Sequence, residues 1–121
     1  MTSSFLENKN KNYALSLRGM GQYPSVVVGA EFSHIKVVDK SGPISPGVLV
    51  KSLRNRLTSL GTLYTIVNGN TLGCCAEVNS ANKILEKRPS LEIYKINFSK
   101  ALRPRTMQVV PKCKNCKKTF N

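Results

Sequence analysis

Two short cysteine motifs hold the residues of this chain best suited to chemistry. Cys75-Ala76-Glu77 and Cys113-Lys114-Asn115-Cys116 together supply three thiolates and one carboxylate. Three soft ligands suit a tetrahedral zinc ion whose fourth position is left to water, and a carboxylate two residues beyond the first ligand is placed to move that water's protons. The spacing therefore predicts Cys75, Cys113 and Cys116 as metal ligands and Glu77 as general acid and base of a hydrolytic site. Three thiolates make zinc a weaker Lewis acid than three histidines would, so the carboxylate matters more. Adjacent side chains on a helix point about 100° apart, so Cys74 is expected to be a small buried residue and not a fourth ligand. A structural knuckle that used all four cysteines would leave no site for water.

Specific elements must position these groups. Val78, Ala81, Ile84, Leu85 and Arg88 fall at helical spacing, so a helix is predicted from Gly73 or Cys74 to just before Pro89, with Cys75 and Glu77 in its first turn. Unpaired backbone N–H groups there favour a thiolate. Cys113 to Phe120 is predicted to form one or two further helical turns, which would place Cys113 and Cys116 on one face. Upstream, residues 25–32 and 34–38 read as strands, Val48 to Leu60 as an amphipathic helix and Leu63 to Val67 as a strand closed by the Asn68-Gly69-Asn70 turn. Leu91 to Phe98 and Met107 to Val110 read as later strands, with Tyr64, Tyr94, Phe98 and Phe120 as core aromatics. Residues 1 to about 12 are polar and read as a flexible leader, with residues 13–121 as one domain. Strands alternating with helices argue for an α/β sandwich around one sheet.

Charge is the outlier of the composition. Among 121 residues, 19 Lys and Arg face 6 Asp and Glu, a formal net charge of +13 that points to a polyanionic partner. From Ile93 onward Lys95, Lys100, Arg103, Arg105, Lys112, Lys114, Lys117 and Lys118 meet no acidic residue. Arg103, Arg105, Lys112, Lys114, Lys117 and Lys118 are the candidates for contact with a nucleic-acid substrate, because they surround the second motif. The sequence has neither a secretory signal pattern nor an apolar run of the ~20 residues a membrane span needs.

Leu72-Gly73-Cys74-Cys75-Ala76-Glu77-Val78 and Cys113-Lys114-Asn115-Cys116-Lys117-Lys118-Thr119-Phe120 resemble the motifs of the cytidine deaminase-like superfamily, and within it the YwqJ-like deaminase domains of bacterial polymorphic toxins. The resemblance runs from about Val48 onward. It implies a three-layer sandwich, a small mixed sheet with helices on both faces, minimal at the C-terminus. It further implies a zinc-dependent deaminase acting on single-stranded DNA or RNA, with cytosine converted to uracil as the first expectation and adenine as the alternative base. Such domains sit at the end of larger secreted toxins, act in the cytoplasm of a target cell and are blocked by an immunity protein, here expected to be acidic. Pro111 is separated from Cys113 by Lys112, where the superfamily has the proline adjoining the cysteine.

Two other readings compete. One is a zinc-stabilised nucleic-acid-binding module. The other is a metal-independent ribonuclease with Glu31 as base and His34, the single histidine, as acid. Their i, i+3 spacing sets the latter pair on opposite faces of a regular strand, so only a bulge or turn would unite them. A lone histidine on an apolar strand is more often structural than catalytic.

Overall fold

The computed structural model describes residues 4–120. Its centre is β1 (Val27–Phe32), paired with β2 (Ile35–Lys40) through a hairpin in which Phe32 faces Ile35 across the Ser33-His34 turn. β-branched Val27 and Val28 suit a strand buried on both faces. The other edge of β1 carries β5 (Asn97–Phe98) and β6 (Ala101–Leu102), and β6 carries β7 (Val109–Val110). Every one of these ladders is antiparallel. The mixed sheet that the resemblance implies is corrected accordingly: β5 and β6 run opposite to β1, and β7 runs opposite to β6, so no two neighbouring strands are parallel. A separate two-stranded ribbon, β3 (Ile66–Val67) with β4 (Asn70–Thr71), forms around the Asn68-Gly69 turn.

Side-chain alternation along β1 places helices on both faces of the sheet. On one face, Val27 meets Ala14 and Leu17 of α1 (Ser4–Gly19). Leu6 of the same helix lies so close over Gly29 that an added Cβ would stand 2.8 Å from its Cδ1. On the other face, Val28 meets Ala76 of α3 (Ala76–Lys87), and Ser80 Oγ donates to the Val28 carbonyl at 2.6 Å. Leu53 and Leu57 of α2 (Lys51–Thr58) join Ala30, Ile84, Leu85 and Phe120 of α4 (Lys114–Phe120) in the main core.

Residues 4–12 are therefore helical, correcting the expected leader; Met1 to Ser3 lie outside the described residues. Leu6, Asn10, Ala14 and Leu17 form the buried stripe. Asn10 takes a core position because its Nδ2 donates to the carbonyls of Val27 and Lys100. Leu6 is fully buried, so Leu6→Ala is expected to destabilise the chain by about 2–5 kcal/mol in denaturant unfolding. A leader would give no change.

Two other expectations are corrected. The Leu91 to Phe98 strand begins as a 3-10 turn (Ile93–Lys95) and keeps only Asn97–Phe98 as strand, and Tyr94 is exposed instead of core. The Leu63 to Val67 strand shrinks to Ile66–Val67, because Tyr64 turns the backbone at φ 65°.

Helix α3 is the mainstay of the site. Nine of its 12 residues are buried, and the polar ones hold loops in place. Asn79 Nδ2 donates to the carbonyls of Lys40 and Gly42 at 2.8 and 2.9 Å. Asn82 donates to the Val48 carbonyl and accepts from the Val50 N–H.

Candidate metal centre

Gly73, at φ +89°, turns the chain into α3; a side chain there would be strained in that backbone and would press on Leu63 and Tyr64. Cys75 follows as the N-cap of α3 in an extended conformation, and its side chain makes no capping bond to the helix. A Ser or Asp at such a position would normally turn back to the backbone. The Cys75 thiol instead lies 3.0 Å from Cys113 Sγ. Cys113 immediately precedes α4 and its carbonyl accepts the Lys117 N–H, while Cys116 sits fully buried in the first turn of that helix.

The sulfurs of Cys75, Cys113 and Cys116 all lie within 4.8 Å of one another. Tetrahedral zinc with Zn–S bonds of about 2.3 Å needs sulfurs roughly 3.8 Å apart, a spacing between the 3.0 Å of the Cys75–Cys113 pair and that bound. All four cysteines are free thiols. Cys74 stands outside the cluster, half-buried in the wall of the adjoining cleft and not in the core. The donor set is thus three thiols, compatible with a metal such as zinc.

Electrostatics point the same way. Hydrogen bonds from the thiols of Cys116 and Cys75, with the N–H groups of Cys116 and Asn115 assisting, pull the Cys113 thiol well below its ordinary value. Cys75 and Cys116 are pushed up, first because each shares its proton with Cys113. One thiolate is comfortable here and three are not, so full ionisation needs a compensating cation. Zinc uptake at pH 7 is expected to release about two protons per ion, from Cys75 and Cys116, and to weaken as the pH falls and protons compete for these sulfurs. Calorimetric titration in buffers of different ionisation enthalpy counts the released protons.

Glu77, 5% exposed at the second position of α3, is the carboxylate beside the thiols. Burial pushes its carboxyl up and repulsion from Cys113 adds to this, while its own backbone N–H, Lys112 and the Cys116 thiol oppose it. A carboxyl raised in this way is better matched to proton transfer near neutral pH than an exposed one.

Glu77, Cys74, Cys75 and Cys113 line a cleft of ≈ 590 Å³. Its walls come from segments distant in sequence, including Tyr23, Ser41, Asn70 and Arg103. That size lies within the range of small-molecule sites.

The basic residues divide. Arg103 lines the cleft, and the Arg105 guanidinium lies over the ring of Tyr23, another lining residue. Lys112 turns inward, its Nζ 5.1 Å from the centre of the Phe98 ring. Lys114, Lys117 and Lys118 are exposed on α4, outside the cleft lining. Glu31 is buried and paired with Lys36 at 3.8 Å, His34 is exposed on the hairpin turn, and neither lines the cleft.

Sequence reasoning missed Asn115 and Tyr23. Asn115, between the two cysteines of the second motif, is 2% exposed. Its Nδ2 donates to the carbonyls of Val67 and Asn70, and its Oδ1 accepts from Asn68 Nδ2. The first turn of α4 thereby holds the ribbon that supplies one cleft wall, and the only signal of this in the sequence is an amide between two cysteines. No sequence pattern brings Tyr23 to the cleft.

The chain matches no protein-family model, no curated protein and no solved structure. No helix among the described residues is long and apolar enough to cross a membrane.

Proposed function

We propose that the chain is a zinc-dependent nucleobase deaminase of the cytidine deaminase-like fold, acting on cytosine in single-stranded nucleic acid. The observation that carries this reading is a buried carboxyl, Glu77, beside a cluster of three thiols and not four, lining a cleft of ≈ 590 Å³. Cys75, Cys113 and Cys116 would hold the zinc ion, which when bound supplies a Lewis acid that activates water. Glu77 takes a proton from the attacking water, delivers it to the ring nitrogen and passes a further proton to the departing amine, so that water is consumed and ammonia released. The net charge of +13 favours a polymeric substrate over a free nucleoside.

The resemblance of residues 72–78 and 113–120 to YwqJ-like domains supports a biological setting. In it, the domain belongs to a larger secreted bacterial toxin, acts in the cytoplasm of a target cell and is neutralised by an acidic immunity protein. Sequencing DNA and RNA from cells that express the domain is expected to reveal C-to-T changes that disappear with Glu77→Ala. A zinc-stabilised binding module would leave nucleic acid unedited, and a ribonuclease would leave breaks that do not depend on Glu77.

A further inference from the structure

We propose that Tyr23 and Arg105 form a stacking platform at the mouth of the cleft for the nucleobase next to the reacting one, with Arg103 taking the intervening phosphate. The occupant is a single-stranded polynucleotide; that its central base is the one deaminated rests on the function proposed above.

The platform joins two loops. Tyr23 lies between α1 and β1, and Arg105 lies in the turn between β6 and β7, with its guanidinium carbon 4.8 Å from the centre of the Tyr23 ring. Tyr23 is 48% exposed, so much of its ring is open to a second planar group. The arginine loop is held firmly. Pro104 is fully buried between exposed Arg103 and Arg105, and the Arg103 carbonyl accepts the N–H groups of Thr106 and Met107 while its own N–H donates to the Gln108 carbonyl. The buried proline directs both arginines outward.

Charge selects the occupant. The ion pairs among the described residues are Lys36 with Glu31 and Lys83 with Asp39, so neither Arg103 nor Arg105 meets a carboxylate there. Glu77 is the one acidic residue of the cleft lining, and it is buried. Unpaired guanidinium groups at the rim attract phosphate, and aromatic and guanidinium planes accept any base face. Duplex DNA keeps its bases stacked inside, so only a single strand offers both a free base face and an adjacent phosphate.

Binding to the full chain carrying Glu77→Gln tests this without turnover, by fluorescence anisotropy on a single-stranded oligonucleotide with one cytosine. Tyr23→Ala is expected to weaken binding about 10-fold or more, and Tyr23→Phe to leave it near the parent value. An abasic site beside the cytosine should weaken the parent similarly and cost Tyr23→Ala nothing further. Arg103→Ala should flatten the dependence of log affinity on log salt by about 0.7. Parent-like binding by Tyr23→Ala, or an abasic penalty undiminished in that variant, overturns the platform. Tyr23 is exposed and outside the core, so its variants should melt like the parent. Because these are binding measurements, a wild-type chain that makes no uracil would overturn the deaminase reading while leaving them valid.

Discussion

Glu77→Gln is expected to lower deamination by about 10²–10⁴-fold or more while zinc stays at one ion per chain. Glutamine keeps the volume of a side chain that is 5% exposed, so no cavity opens beside the thiols. What it removes is a group that can take a proton from water and hand it on. The three thiols that would hold zinc are unchanged, so metal content should hold as turnover falls. Parallel measurement of metal content and uracil yield checks both halves. A shared fall in zinc and activity would assign Glu77 to the metal's support instead of to proton transfer.

Cys116→Ser is the second large effect. The Cys116 sulfur is fully buried in the first turn of α4 and faces both other thiols. Serine in its place offers a hard, protonated donor where zinc needs thiolate, and zinc affinity is expected to fall by more than about 100-fold, beyond what outer-shell partners usually carry. Since metal binding stabilises only the folded chain, added zinc should raise the melting temperature of the wild type and leave that of Cys116→Ser unmoved. Cys74→Ser is the control, because Cys74 lies outside the cluster. If both variants lost zinc equally, the site would be a closed four-thiolate knuckle with no room for water.

Some of this architecture was legible in the sequence and some was not. Helix α3 was, because Val78, Ala81, Ile84 and Leu85 repeat at helical spacing and Pro89 ends the run, and both motifs accordingly open helices. β1 and β2 were too, since a run of β-branched residues leaves few alternatives. Helix α1 escaped notice because its buried stripe includes Asn10, whose place is set by carbonyls of β1 and of Lys100, 90 residues away. Local pattern cannot register a partner at that distance. The cleft was hidden for the same reason: Tyr23, Ser41, Asn70 and Arg103 meet only because β1 organises the sheet and Asn79 and Asn115 fasten the intervening loops. The basic tail was visible as charge, but only the fold separates Arg103 and Arg105 at the rim from Lys112, drawn inward toward Phe98.

The most direct test of the central claim uses the zinc-loaded wild-type chain and a single-stranded oligonucleotide with one cytosine, followed by uracil excision and strand cleavage, with Glu77→Gln in parallel. Cleavage at the cytosine position is expected for the wild type and none for the variant. No uracil from the zinc-loaded wild type on either DNA or RNA, or equal amounts from both proteins, would contradict the claim.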